Sequence, residues 1–261
     1  MSTVAEKDTE LKEEVAAPVQ HDPAKLALLD EMMKAGMYMG KRHAKTHPRM
    51  KPFLFGVRNG VEIIDLEDTL RFLDKAMEFV KNKVAEKGVI LLVSTTPVAK
   101  DSVNALAKKL GLPYVTERWL GGTLTNFKTL SKRVSHFKKL KSDKESGRLD
   151  KYTKKERLNF DREIVKMTRM FGGVENMDKL PDVVFVVDVK KQMITVNEAK
   201  ISKVPVVGVL NSDTDPETVK YPIPCNDRSK NSVEWILARL EGAILEGRAN
   251  IKADVVKVVT K

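Results

Sequence analysis

Short apolar runs alternate along this chain with stretches in which apolar residues recur every three or four positions. GVILLV (88–93) and VPVVGVL (204–210) are apolar throughout, and DVVFVV (182–187) is apolar after its first residue, as expected for parallel strands buried on both faces. Shorter strands are predicted at 61–66 and 112–116, and helical spacing follows several of these runs. Strands that alternate with helices predict an α/β fold, in which a doubly wound parallel sheet is flanked by helices.

Glycine, proline and cap residues mark the borders of several predicted elements. The first helix is predicted to end near Gly36, Gly111 to occupy the C′ position of a later helix, and Asp68 to start another. The prolines of YPIPC (221–225) predict an edge strand or a loop. Residues 40–52 show neither a helical nor a strand period, which predicts a loop.

About 65 residues between the strands at 112–116 and 182–187 contain no predicted strand. Two sets of apolar residues recur there at helical spacing: Phe127, Leu130, Val134, Phe137 and Leu140, then Phe160, Ile164, Met167 and Phe171. SDKESGR (142–148) predicts a turn between them. The pattern predicts an antiparallel helical hairpin, a coiled coil, inserted at 126–171 and here called the arm. Each of its helices would project about 25 Å.

The rest of the chain is divided around the arm. A single α/β domain is predicted over 25–125 and 172–247. Residues 1–24 carry six acidic and two basic side chains and few large apolar ones, which predicts a disordered acidic tail rather than a secretory or transit peptide. Residues 248–261 are predicted to be a flexible C-terminal tail. The single cysteine, Cys225, excludes an internal disulfide and suits a reducing cytoplasm.

Positive charge is concentrated in the arm. The chain has 47 lysines and arginines against 36 aspartates and glutamates, a net charge of +11. Residues 128–169 alone hold 15 basic against six acidic side chains. A solvated helix face is the ordinary explanation of a basic run, but an excess this concentrated favours a polyanionic ligand.

A second basic stretch covers residues 40–58, here called the basic loop. Its cations suit phosphate groups, whereas Phe53 and Phe55 can stack on bases or anchor the loop to the core. Their alternation with Leu54 favours anchoring for at least one ring.

A third candidate is ERWLGGTLTN (117–126), which leads into the arm and is here called the junction. Gly121-Gly122 permits a positive φ or a close backbone approach. Thr125 or Asn126 can cap the arm. Trp119 is predicted to pack under the first turn of the arm, with Arg118 held toward a phosphate or a carboxylate.

Enzymatic and metal sites find little support in the sequence. The carboxyl ends of the strands, where open parallel sheets bind ligands, carry residues 94–97, Asp188 and residues 211–215. A phosphate site and ordinary caps and turns both explain such residues. No dinucleotide, P-loop or GxSxG motif is present. His43 and His47 have a metal-compatible spacing, but a following proline disfavours the helix and no third ligand is evident. No catalytic residue, metal or cofactor is expected.

Several long motifs resemble those of the small-subunit ribosomal protein S2 family, in the expected order. They are RWLGGTLTNFKT, MKPFLFGVRNGVEIIDLEDT, LPDVVFVVDV and VPVVGVLNSDTDPETVKYPIPCNDRS. The resemblance runs from about Leu26 to Gly247, and the long basic arm resembles the bacterial and organellar branch. Gly40-Lys41, His47-Pro48 and Thr96-Pro97 depart from the family pattern.

The resemblance implies a non-enzymatic, cytoplasmic component of the small ribosomal subunit. The family binds 16S ribosomal RNA between head and body and helps to hold the large mRNA-binding protein S1, so RNA and neighbouring subunit proteins are the expected partners, with no membrane. Phosphate contacts are expected from ten cations: Lys41, Arg42, Arg49, Lys51, Arg58, Arg118, Lys132, Arg133, Lys138 and Lys139. The angle of the arm is expected to be set by Trp119, Gly121, Gly122 and Asn126.

Two other classes of function stay open at this point. One is an α/β enzyme or binding protein for a small phosphorylated metabolite, using residues 94–97 and 211–215. The other is a protein-only interaction module whose acidic tail recruits a basic partner. Sedimentation with small ribosomal subunits at moderate salt would separate these alternatives from a ribosomal role.

Overall fold

The computed structural model describes residues 23–259, with side chains described as far as residue 251. The helices are α1 (Pro23–Lys34), α2 (Leu66–Ala85), α3 (Pro97–Leu110), α4 (Phe127–Glu145), α5 (Lys154–Phe171), α6 (Met193–Ile201) and α7 (Lys230–Val259). The strands are β1 (Met39–Arg42), β2 (Leu54–Arg58), β3 (Val61–Ile64), β4 (Ile90–Val93), β5 (Tyr114–Val115), β6 (Val183–Val187), β7 (Val206–Leu210) and β8 (Tyr221–Pro224). Residues 1–22 of the predicted acidic tail lie outside the described residues.

A parallel sheet of five strands, in the order β5-β4-β6-β7-β8, forms the centre of the fold. Leu92 of β4 pairs with Tyr114 on one side and with Phe185 on the other. The chain leaves β4 first toward β5 and then crosses to β6, so the sheet is doubly wound with its switch point between β4 and β6. The proline-rich strand β8 lies at an edge, where a missing N–H is tolerated, as predicted.

The central strands are buried on both faces. Ile90 and Leu92 of β4 belong to one hydrophobic cluster, and Leu91 and Val93 to a second cluster on the opposite face. Helices α2, α3 and α7 contribute to the first cluster, and α6 and the first turns of α4 to the second. This two-sided burial explains the uninterrupted apolar runs in the sequence and confirms the predicted fold class.

A second sheet, which the hydrophobic pattern does not predict, is antiparallel with the strand order β1-β3-β2. Strands β2 and β3 form a hairpin through Asn59-Gly60, both with positive φ, as a type I′ turn requires. The prediction of a loop over 40–52 is wrong at its start, where Gly40–Arg42 belong to β1. Because β1 is only four residues long, its conformation comes from pairing with β3 rather than from a local period.

The structure confirms the predicted C-terminal boundary of α3 but places the N-terminal boundary of α2 at an earlier residue than predicted. Gly111 ends α3 with φ +65°, as expected of a C-terminal glycine. Asp65, and not Asp68, caps α2, and its carboxylate accepts a hydrogen bond from the N–H of Glu67 at 2.8 Å. Helix α7 continues to Val259, although helical backbone does not test the flexibility predicted for 248–261.

The arm contains the two predicted helices, α4 and α5, which contact each other. Ile164 and Met167 of α5 pack against the cluster that contains Val134 and Phe137 of α4. The division of the chain into a body and an inserted arm, and the extent to which the arm projects, stay predictions. None of the helices within residues 23–259 combines the length and the apolar character needed to cross a bilayer.

Candidate nucleic-acid interface

A buried carboxylate from α6 holds the junction in place. Glu198 is 7% exposed, and its Oε1 accepts hydrogen bonds from Trp119 Nε1 at 3.0 Å and from the Gly122 N–H at 2.8 Å. Its Oε2 accepts the Leu124 N–H at 3.0 Å and, more weakly, the N–H and hydroxyl of Thr125 at 3.5 and 3.4 Å. Burial alone would raise the pKa of Glu198, but these hydrogen bonds outweigh it and hold the pKa below its ordinary value. The junction therefore wraps around a single anion.

The two glycines of the junction have different roles. Gly122 has φ +88°, a backbone conformation that glycine adopts at low cost. In this conformation its N–H donates a hydrogen bond to Glu198. Gly121 has no positive φ, and a Cβ there would meet nothing within 4 Å. Asn126 occupies the N-cap position of α4, but its side chain makes no capping hydrogen bond, so the predicted side-chain cap is wrong. Glu198 instead accepts the backbone N–H groups just before the helix.

The outer face of α4 is basic. Its buried stripe consists of Leu130, Val134, Phe137 and Leu140. Four predicted cations of this helix are exposed and have no ion-pair partner among the described side chains: Lys132, Arg133, Lys138 and Lys139. Lys132 and Lys139 are seven residues apart, hence nearly in line along the helix and opposite the buried stripe. Arg133 and Lys138 lie about 100° to either side of this line, nearer the buried stripe, and are exposed as well, so unpaired positive charge faces solvent around much of the helix.

The structure divides the cations of the basic loop into two groups. Of the five cations predicted there to contact phosphate, three are exposed without an ion-pair partner among the described side chains: Arg42, Lys51 and Arg58. Arg49 instead lies 2.6 Å from Asp215 and 3.1 Å from Glu217 through its Nη1. In the junction, Arg118 is exposed and likewise unpaired among the described side chains.

Lys41 has an internal role that the sequence does not indicate. Its Nζ lies 2.8 Å from Asp227 Oδ1, and the two side chains are 11% and 3% exposed. Asn211 Nδ2 donates to the same oxygen at 2.9 Å, and the Lys41 N–H donates to Ser212 Oγ at 2.8 Å. Lys41 therefore fastens the basic loop to the segments that follow β7 and β8, and its ammonium is already paired where a phosphate contact is predicted.

Internal contacts also occupy the strand ends, where a metabolite would bind. Across the switch point, Gln192 Nε2 donates to Thr95 Oγ1 at 2.5 Å. The carboxylate of Asp188 accepts the Lys191 N–H at 3.1 Å, while burial and the nearby Asp227 raise its pKa. Several of the groups that a phosphate site would use are thus already hydrogen-bonded within the protein.

The two candidate metal ligands make separate contacts. His43 Nδ1 lies 2.7 Å from Glu62 Oε1, and His47 Nδ1 accepts the Arg49 N–H at 3.3 Å. Across residues 23–251 no group of three or more histidine, cysteine, aspartate or glutamate side chains is arranged to hold a metal ion. Cys225 is fully buried, and burial raises the pKa of its thiol.

Comparison with known proteins shows which family this architecture belongs to. Residues 32–247 match the family described as ribosomal protein S2. The chain belongs to the ribosomal protein S2 family. Small ribosomal subunit protein uS2 of Mycobacterium leprae (strain TN) is 43% identical over 219 residues, covering 84% of this chain and 79% of that protein. The protein of the same name from Rhodococcus jostii (strain RHA1) is 41% identical over 229 residues, covering 87% and 76%.

The region that matches the S2 family contains the basic loop, the junction, the arm and Glu198, and it confirms the resemblance drawn from the motifs. Sequence reasoning misses three buried acids of this S2-family chain, Glu62, Glu198 and Asp227, and the sequence holds a signal for the first two. Glu198 lies beside the buried Val196 and Ala199, and Glu62 lies in an otherwise apolar strand. An acidic residue on a predicted buried face is the signal that would have found both, because such a residue needs partners.

Proposed function

We propose that this chain is a non-catalytic structural component of the small ribosomal subunit and binds 16S ribosomal RNA through backbone phosphates. The match of residues 32–247 to the S2 family carries the proposal, and both relatives described above are named for the small subunit. A ligand at the strand ends is not favoured, because several polar groups there are already hydrogen-bonded within the protein.

Phosphate contacts are assigned to those of the ten predicted cations that are exposed and have no ion-pair partner among the described side chains. These are Arg42, Lys51, Arg58, Arg118, Lys132, Arg133, Lys138 and Lys139. They lie on two parts of the chain, the arm and the body, so the protein can bridge separate RNA segments. Little base readout is expected from them, because duplex RNA is recognised mainly through shape and backbone.

The junction supports this role mechanically. Glu198 ties Trp119, Gly122 and Leu124 to α6, and this contact would set the angle of the arm. Within the cytoplasmic subunit, the further partners are neighbouring small-subunit proteins, including the large mRNA-binding protein S1. The acidic tail at 1–24 and the tail at 248–261 lie outside the proposed RNA contacts.

The salt dependence of binding tests the proposal. Full-length protein is titrated with 16S ribosomal RNA between 50 and 200 mM salt, and log affinity is plotted against log salt concentration. Changing Lys132, Arg133, Lys138 and Lys139 to glutamine should reduce the slope by about 3, at roughly 0.7–0.9 per phosphate contact. The matched control changes four exposed lysines of the body to glutamine: Lys75, Lys87, Lys108 and Lys200.

The control variant should keep the wild-type slope. Equal slopes for wild type and the arm variant would remove the arm from the RNA interface. Sedimentation of a lysate at moderate salt tests the function itself, since the chain should travel with small subunits. A chain found only in the soluble fraction would favour the metabolite alternative.

A further inference from the structure

Three cations from three different elements lie around one carboxylate where the arm joins the body. Lys100 belongs to α3, Arg118 to the junction and Arg169 to the last turn of α5. The carboxylate is that of Glu117, whose side chain is 30% exposed. These four residues are here called the arm-base cluster. Three positive charges against one negative charge leave the cluster with a net charge of +2.

Glu117 connects α3 to α5 through its two oxygens. Its Oε1 lies 2.5 Å from Lys100 Nζ, and its Oε2 accepts a hydrogen bond from Arg169 Nε at 3.1 Å. These contacts, that from Lys100 first, hold the pKa of Glu117 below its ordinary value. Because each oxygen already faces a cation, the carboxylate does not cancel the excess positive charge of the cluster.

The contact with Glu117 occupies only one side of the Arg169 guanidinium. Arg169 donates through Nε, and its two Nη groups make no hydrogen bond among the described residues. The side chain is 74% exposed, while Phe171, two residues further on, is buried and anchors the end of α5. Glu117 therefore orients a guanidinium whose Nη groups remain free to bind a planar or tetrahedral oxyanion.

Arg49 shows the opposite arrangement. Its Nη1 lies 2.6 Å from Asp215 and 3.1 Å from Glu217, so one positive charge faces two negative ones. An anion approaching Arg49 would be repelled by the carboxylates and would find Nη1 already bonded. An ion pair alone therefore does not remove an arginine from the anion-binding surface. The ratio of charges and the nitrogen that is used decide the outcome.

Both arginines of the arm-base cluster line one small cavity. Its volume is about 130 Å³, and the polar residues Asn104 and Thr116 line it as well. Pockets that enclose a whole small ligand measure roughly 300–1,000 Å³, so this cavity is too small for one. At roughly 30 Å³ per water molecule, it has the volume of about four waters. The cavity thus suits a single charged group of a larger molecule.

We propose that the arm-base cluster binds one backbone phosphate of ribosomal RNA, with Arg118 and Arg169 contacting the phosphate and Glu117 acting as a positioning residue for Arg169. Guanidinium groups match phosphate because their parallel N–H groups can donate to two oxygens at once. The inference rests on the proposed function, since it gives the bound RNA strand a fixed point at the base of the arm. It also adds Arg169, which the sequence analysis does not include, to the phosphate contacts.

Ethylation interference identifies the phosphates that binding requires. Sparsely ethylated 16S ribosomal RNA, prepared with ethylnitrosourea, is mixed with full-length protein, and the bound and unbound fractions are compared at each phosphate. The expected result is that Arg118→Gln and Arg169→Gln each weaken interference at one and the same phosphate. Lys132→Gln, on the outer face of α4, should leave that phosphate unchanged. Effects of the two arginine variants at different phosphates would overturn the inference.

The salt dependence of binding gives a quantitative readout of the same site. The double variant Arg118→Gln with Arg169→Gln should lower the slope of log affinity against log salt by about 0.7–0.9, the value for one phosphate. Two separate phosphate contacts would lower it by roughly twice as much. Arg49→Gln is the matched control and should keep the wild-type slope, because its guanidinium is already held by two carboxylates. A wild-type slope in the double variant would exclude the site.

The outcomes separate this inference from the proposed function. If other phosphates interfere but neither arginine variant alters the pattern, the arm-base site fails and RNA binding stands. If both variants enter small subunits poorly while the interference pattern is unchanged, the ligand is an acidic group of a neighbouring protein and the inference is overturned. If no phosphate interferes with binding of the wild type and salt has no effect, the proposed function fails and the inference fails with it.

Discussion

Replacing Glu198 with glutamine isolates the electrostatic part of the junction, because the amide has nearly the same shape as the carboxylate. In the wild type, three hydrogen bonds of 3.0 Å or shorter reach the two carboxylate oxygens, from Trp119, Gly122 and Leu124. Glutamine has one oxygen, so it can keep the bonds from Trp119 and Gly122 only by turning its NH₂ group toward the Leu124 N–H. One buried donor then loses its acceptor.

The expected cost follows from these contacts. A buried donor without a partner costs about 1–3 kcal/mol, and each bond that loses its charged acceptor weakens by about 1 kcal/mol. Burying an amide costs less than burying a carboxylate, which offsets part of this loss. We therefore expect the free energy of unfolding to fall by about 2–4 kcal/mol. For a chain of this size, that corresponds to a Tm lower by roughly 5–15 °C.

The effect should depend on pH with a defined sign. Because the pKa of Glu198 is lowered in the folded state, its carboxylate contributes stability that is fully present above the unfolded-state pKa. That contribution is lost as the pH falls through the folded-state pKa. The stability difference between wild type and Glu198→Gln should therefore be constant above about pH 5 and shrink below about pH 4.

Thermal and urea unfolding, followed by circular dichroism on the full chain at several pH values, measure this difference. Glu145→Gln is the matched control, since Glu145 is exposed on α4 and has no ion-pair partner among the described side chains. It should change the free energy of unfolding by less than about 0.5 kcal/mol. Equal effects of Glu198→Gln and Glu145→Gln at neutral pH would refute the assignment of Glu198 as the anchor of the junction.

Two other substitutions test separate contacts by the same unfolding measurements. Gly122→Ala should cost about 1–2 kcal/mol because alanine is strained at φ +88°, whereas Gly121→Ala should be nearly neutral; equal costs would show that the positive φ is unimportant. Lys41→Met should cost about 3 kcal/mol by leaving Asp227 buried without its cation, and Lys41→Met with Asp227→Asn should recover part of that loss. No recovery in the double variant would contradict the pairing.

Much of the fold could be predicted from local pattern. The runs at 88–93, 182–187 and 204–210 contain β4, β6 and β7, because burial on both faces excludes polar residues from a strand. The antiparallel sheet could not be predicted in the same way. Strands β1 and β2 are edge strands of four and five residues, and their conformation depends on the pairing with β3.

The candidate site could be predicted only in part. The basic arm is evident because its charges are close together in the chain and remain exposed. The pairing state of each cation is not evident, since Lys41 and Arg49 look in the sequence like Lys51 and Arg58. Their partners Asp227 and Asp215 are 186 and 166 positions away.

The sequence by itself determined the types of most elements, the family and the location of the positive charge. Each of these can be identified from residues that are contiguous in the chain. Only the tertiary structure decided that Glu198 holds Trp119, Gly122 and Leu124 of the junction from 74 to 79 residues away and that a bulge exposes Phe55. Hydrogen bonds of buried groups and the register of strand pairs depend on which distant segments meet. A local pattern of polar and apolar residues does not specify these long-range contacts.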